Sequence, residues 1–184
     1  MKVLIVFIII GIIVVLYGIT GYNSFMKMRN KIDEAFATMD VYLKKRWDLI
    51  PNLVNTVKGY AEHEKSTLES VTAMRKQSYD SMSQEEKIAA NKELGAGLGR
   101  LLATAEAYPD LKANDQFLQL SKQLNEIETD IAQSRKYFNA CVREMNTKVD
   151  TFPSNIIASL FHFKKRGMFE VDDTSERENV IVEF

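Results

Sequence analysis

The hydrophobic pattern divides the chain into one unbroken apolar run and then long stretches with apolar positions three or four residues apart. Residues 3–19 hold no charge and no proline, and only two glycines, Gly11 and Gly18, with Lys2 in front. A helix of about 20 such residues spans the ~30 Å hydrocarbon core of a bilayer. The run therefore predicts a membrane anchor over residues 1–22, with Val3, Ile10, Leu16 and Ile19 in its apolar body. Tyr17 and Tyr22 stand where amphipathic rings meet the headgroups. A cleaved signal peptide is the competing reading. Its apolar core is about 7–15 residues long and ends at a small-residue cleavage site. This run is longer, and Gly18 and Thr20 before Gly21 make a poor site.

Beyond the anchor, Phe25, Met28, Ile32, Ala35, Met39 and Tyr42 recur at helical steps and predict a helix running from the membrane to about Trp47. Asp48 and Pro51 predict a break, because proline disfavours helical geometry in the residue before it and suits a first helical turn. A second helix reads Ile50, Val54, Val57, Ala61, Leu68, Val71 and Met74, with Glu64 interrupting the stripe. Ser83 followed by Glu86 is a capping-box pattern opening a third, which carries Ile88, Leu94, Leu98, Leu101, Ala105 and Tyr108 and stops at Pro109. Asn114 or Asp115 caps a fourth helix, which has the clearest repeat: Phe117, Leu120, Leu124, Ile127, Ile131, Phe138, Cys141 and Met145, with Ser134 in the one skipped place. Such stripes need partner helices to bury them, in coiled-coil fashion. The prediction is an all-α fold: an N-terminal transmembrane helix followed by an elongated antiparallel up-down bundle of four long helices over residues 23–152. Residues 153–166 read as a short amphipathic basic segment, and residues 167–184 as an acidic, flexible tail.

Composition narrows the function more than it names it. The chain has 184 residues and a formal net charge of −1, so no global basic field draws it to nucleic acid. Cys141 is the single cysteine and rules out an internal disulfide. It lies on the apolar stripe of the fourth helix, where cysteine serves as a small buried hydrophobe. His63-Glu64 lacks the second histidine of a zinc-protease helix, because position 67 is Thr, and the carboxylate di-iron spacing fails at Tyr60. Gly95, Gly97 and Gly99 sit inside a helical pattern with no strand before them, which suits close helix approach better than a phosphate loop. No catalytic residue, cofactor or metal ligand is expected, and an enzyme is not expected. Lys27, Arg29 and Lys31 follow the span against Lys2 and the amino terminus before it, a bias toward a cytoplasmic bundle.

Several segments together resemble the bacterial LemA family. They include Arg29-Asn30 with Asp33-Glu34-Ala35, Leu43-Lys44-Lys45-Arg46-Trp47-Asp48-Leu49-Ile50-Pro51-Asn52-Leu53-Val54, and Val57-Lys58-Gly59-Tyr60-Ala61. Glu106-Ala107-Tyr108-Pro109-Asp110-Leu111, Arg135-Lys136-Tyr137-Phe138-Asn139 and Phe152-Pro153-Ser154-Asn155-Ile156-Ile157-Ala158 belong to the same match. The resemblance implies a bacterial membrane protein with a single N-terminal span and an α-helical bundle, in a family without an established enzymatic activity.

Two surfaces are candidates for interaction. Lys44, Lys45 and Arg46 beside Trp47 and Asp48 read mainly as a salt-bridged helix end, with Arg46 on the apolar seam as Glu64 is on the second helix. Ile156, Ile157, Leu160, Phe161 and Phe163, followed by Lys164, Lys165 and Arg166, form an amphipathic segment. It can close one end of the core or lie in a headgroup layer. The expected function is a membrane-anchored structural or scaffold protein of the bacterial inner membrane. Its expected partners are membrane lipid, further copies of itself and another envelope protein. The alternative is a membrane-tethered sensor with a small ligand between its helices.

Overall fold

The computed structural model describes residues 1–60, 68, 69, 72 and 78–169. The architecture is all-α, an N-terminal apolar helix leading into a bundle of long helices, with no strand among the described residues. Helix α1 spans Lys2–Lys58, and at 1.5 Å per residue its 57 residues make a rod of about 85 Å. After a short 3₁₀ turn at Tyr79–Ser81 come α2 (Gln84–Glu106), the single turn α3 (Pro109–Lys112), α4 (Asp115–Asp150) and α5 (Ser154–Leu160).

The break expected at Asp48–Pro51 is absent, because α1 runs through Pro51 to Lys58. Pro51 gives no N–H to the carbonyl four residues back, and its ring crowds that carbonyl, a cost of about 3 kcal/mol in a helix interior. Burial on both sides of it opposes that cost: Trp47, Ile50, Leu53 and Val57 are all in the core. Each fully buried side chain of this kind contributes about 1.5–3 kcal/mol. The buried seam, continuous from Phe25 to Val57, outweighs the local preference of one proline. Much of the second half of the expected second helix, Glu64 included, lies outside the described residues, although Leu68, Glu69 and Thr72 are helical.

Helices α1 and α4 run antiparallel in one register. Lys31 pairs with Glu144, the rings of Phe36 and Phe138 meet edge to face at 5.9 Å, Arg46 bonds Glu128, and Asn114 Nδ2 donates to the Tyr60 hydroxyl. As the index climbs along α1, it falls by nearly the same step along α4. Helix α2 instead runs parallel to α1: Lys87 reaches Asp40 and Asn91 reaches Arg46. Its start is the expected capping box, in which Glu86 Oε2 accepts from the Ser83 N–H at 2.7 Å and Ser83 Oγ accepts from the Glu86 N–H at 3.2 Å. Those bonds hold the Glu86 carboxyl below its usual range. Helix α4 is capped as expected by Asn114, whose side chain accepts from the Phe117 N–H at 2.9 Å. The apolar stripe of α4 packs inward at Phe117, Leu120, Leu124, Ile131, Phe138, Cys141 and Met145, with Ser134 buried among them.

Candidate functional site

Two places in the fold stand out: the end of the bundle beside the apolar run, and a polar cluster in the middle of its core. At the first, exposure changes within a few residues. Residues 1–17 are all exposed, although nearly all are large and apolar, whereas Phe25 is fully buried. The first part of α1 is long and apolar enough to cross a membrane, and none of the described residues covers it.

Helix α5 folds back against that junction. Ile157 and Ala158 are buried, and a Cβ placed on Gly21 would overlap the Cδ1 methyl of Ile157. Phe161 packs on Tyr22 with ring centroids 4.8 Å apart, and Phe163 stacks on Phe25 at 4.7 Å. Lys148, near the end of α4, lies over the Phe25 ring and bonds the Ser24 hydroxyl. Gly21 is thus the position that lets α5 sit directly on α1. The tip of Ile157 can yield to one methyl but not to a branched side chain. Gly21→Leu is expected to displace α5 and cost about 1–2 kcal/mol, with Gly21→Ala nearly neutral. Thermal unfolding of the full chain in detergent checks the order.

The chain then reverses. His162 takes a left-handed conformation at φ 58°, the Phe163 N–H bonds the Ala158 carbonyl at 2.9 Å and the His162 N–H bonds Ser159. This is a Schellman closure with histidine where glycine is usual. Residues 163–169 climb back along α4 as an extended strap held by two asparagines. Asn146 Nδ2 donates to the Arg166 carbonyl at 2.9 Å, and its Oδ1 accepts from the Arg166 N–H at 2.8 Å. Asn139 makes the same pair with Phe169, at 2.9 and 2.8 Å. Seven residues of helix and three of extended chain both cover about 10 Å, so the two clamps are in register. Phe169 is buried beneath Arg135. Asn139→Ala is expected to raise amide exchange at Phe169 about tenfold, the equivalent of one net hydrogen bond, while leaving Arg166 largely protected. Hydrogen-exchange mass spectrometry reads both positions.

The second site is centred on Arg46, which is only 5 % exposed. Its Nη1 donates to both carboxylate oxygens of Glu128, at 2.8 and 3.0 Å. Its Nη2 donates to the carbonyl of Asn91 at 2.6 Å and to Asn91 Oδ1 at 3.0 Å. Beside it, Tyr79 donates to Asp40 at 2.7 Å and Lys87 reaches the other Asp40 oxygen at 2.7 Å. Burial, together with the Asp40 carboxylate, pushes the Tyr79 phenol well above its ordinary range. One guanidinium therefore ties α1 to α2 and α4 at once. Buried polar groups of this kind fix register at a cost in stability. The acceptors of the cluster are engaged by the chain's own cations and hydroxyl.

The expected interaction corner is rearranged. Arg46 and Trp47 face inward, with the Trp47 ring 5.4 Å from that of Tyr79, so they do not form an outer surface. Lys44 pairs with Asp48 at 3.5 Å and with Asp80 at 3.6 Å, but on the side of a continuing helix and not at its end. In the tail segment Ile157 is buried and Phe163 half-buried, while Ile156, Leu160 and Phe161 are exposed. Lys164, Lys165 and Arg166 are exposed, but Lys165 pairs with Asp150 and Arg166 with Asp33. Cys141 is buried, Gly95 lies alongside Arg46, and His63 falls outside the described residues. Among the described residues no group of acidic, histidine or cysteine side chains is placed to hold a metal ion. The sequence reading missed Asn91, Tyr79, Asp40 and Glu128. Their one legible signal was the four-residue spacing of Lys87 and Asn91 on the inward side of α2.

Comparison with known proteins assigns the chain to a family. The chain is similar to Protein LemA of Metamycoplasma hominis, 26% identical over 85% of this chain and 75% of that protein. It is also similar to Magnetosome protein MamQ of Magnetospirillum gryphiswaldense, 25% identical over 80% of this chain. Magnetosome protein MamQ 1 of Paramagnetospirillum magneticum is 24% identical over 81% of this chain. The chain spans 64% of the length of these two magnetosome proteins. A model of the LemA family matches residues 35–184, and the chain belongs to that family.

Proposed function

We propose that this protein is a non-enzymatic scaffold, held in the bacterial inner membrane by the first part of α1 with its bundle in the cytoplasm. It self-associates and positions membrane lipid or another envelope protein at a fixed distance from the bilayer. The observation that carries the reading is the unbroken helix from Lys2 to Lys58. A flexible tether would leave the bundle free to tumble, whereas one helix makes span and bundle a single lever. The same continuity argues for retention of the anchor. Residues 18–21 are helical and Gly21 is covered by Ile157, a poor substrate for a peptidase that needs an extended chain.

Self-association has a candidate face. Gly11 and Gly18 lie seven residues apart, two turns of one side of α1, with open space where each Cβ would be. Small residues there let a second span approach closely. The magnetosome names of two relatives fit a role in membrane organisation. A sensor reading has less support, because Arg46, the main polar group on the seam, is engaged by Glu128 and Asn91 and not turned toward a vacant pocket. Crosslinking in native membranes, followed by native mass measurement in detergent, tests the proposal. Dimers or larger species support it. A lone monomer in both measurements overturns self-association, and protease shaving of sealed vesicles reads the orientation.

A further inference from the structure

The basal face of the bundle carries an apolar surface that the fold leaves uncovered. Phe152 is 80 % exposed, Leu160 70 %, Ile156 59 % and Phe161 45 %. Ile156 and Leu160 are one helical turn apart on α5, next to the face that Ile157 turns toward α1. The height of this surface is fixed by its neighbours. Helix α4 ends at Asp150, level with Ser24, and the strap after Phe163 climbs away toward Asn146 and Asn139. Helix α5, seated on Gly21 and Tyr22, is therefore the lowest described part of the bundle, beside the end of the apolar run.

We propose that α5 is a second membrane contact, with Phe152, Ile156 and Leu160 inserted into the headgroup–acyl boundary of the bilayer that α1 enters. The occupant follows from continuity: the exposed apolar surface of α1 ends at residues 19–22, and the exposed apolar surface of α5 begins there. A short helix with an apolar side and basic neighbours lies in the interface plane in this way. The charges refine the picture. Lys165 and Arg166 are paired with Asp150 and Asp33, leaving Lys164 and Lys27 to face anionic headgroups, so the contact is chiefly apolar and depends weakly on lipid charge. Two contacts joined by packed aromatic rings would fix the tilt and rotation of the bundle, which a lone span leaves free.

This inference rests on the anchoring reading, and its test separates the two. The full chain is reconstituted into phosphatidylcholine–phosphatidylglycerol vesicles containing lipids brominated high on the acyl chains. The variants are Leu160→Trp and, independently, Ile156→Trp, with helicity checked by circular dichroism. Trp47 supplies an internal control, being buried and about 37 Å up the helix from Tyr22. Co-flotation with intact vesicles tests the anchor. With the anchor in place, the added tryptophan is expected to emit at shorter wavelength and to lose at least half its intensity to bromine, while Trp47 in the parent loses almost none. Removing the anionic lipid should change the quenching less than twofold. Floating protein whose added tryptophan is unquenched in both variants overturns the proposal. Emission that is blue-shifted but unquenched assigns the face to a second copy instead. Failure to float overturns the anchoring reading and this inference with it.

Discussion

Arg46→Met is expected to destabilise the full chain by about 2–4 kcal/mol, because removing one partner of a buried charge pair strands the others. Asn91 is fully buried, and its carbonyl and side-chain oxygen would both lose a charged donor. The Glu128 side chain is 40% exposed and recovers water, which keeps the loss below that of a fully enclosed pair. Arg46→Lys retains the charge but not the fork that reaches Glu128 and Asn91 together, and should recover less than half of the loss. Urea denaturation of the detergent-solubilised protein measures each value. Asn91→Leu combined with Arg46→Met should cost less than the two singles together, because Asn91→Leu removes the side-chain oxygen, one of the groups that Arg46→Met strands. A loss under about 0.5 kcal/mol for Arg46→Met would show that the clamp does not hold the three helices in register.

Pro51→Ala is expected to act in the opposite direction, stabilising the protein by about 2 kcal/mol. Proline in a helix interior costs about 3 kcal/mol relative to alanine. About 0.4–1 kcal/mol is returned, because proline also restricts the unfolded chain. Pro51 lies inside α1 and is only half-buried, so its ring leaves a small void at most. The same denaturation series reads the change. A decrease in stability would show that the local geometry imposed by Pro51 is required by the seam from Trp47 to Val57.

What the sequence made legible was the periodic part of the fold. The stripes on α2 and α4 and the caps at Ser83 and Asn114 follow from local chemistry, and each is where the pattern put it. Pro51 misled because its preference is local, whereas the burial that overrides it comes from helices far along the chain. Arg46 was visible as a charge on an apolar seam, but its acceptors on α2 and α4 are 45 and 82 residues away. No spacing rule reaches that far. The amphipathic segment at 153–166 was recognisable in composition. Its seat depends on a small residue at position 21 and on two asparagines turned toward a backbone, neither of which leaves a periodic trace.

The central claim is that one helix carries the chain from the bilayer into the bundle core. Two spin labels on α1, one at position 23 and one at position 55, measure it directly in the full chain reconstituted in nanodiscs, and an intact-mass spectrum of the same sample reads the N-terminus. The account predicts the full chain, 21.1 kDa before the mass of the labels is added, with a narrow distance distribution centred at about 48 Å at 1.5 Å per residue. A broad or much shorter distance, or a mature chain that has lost its first twenty or so residues, would contradict it.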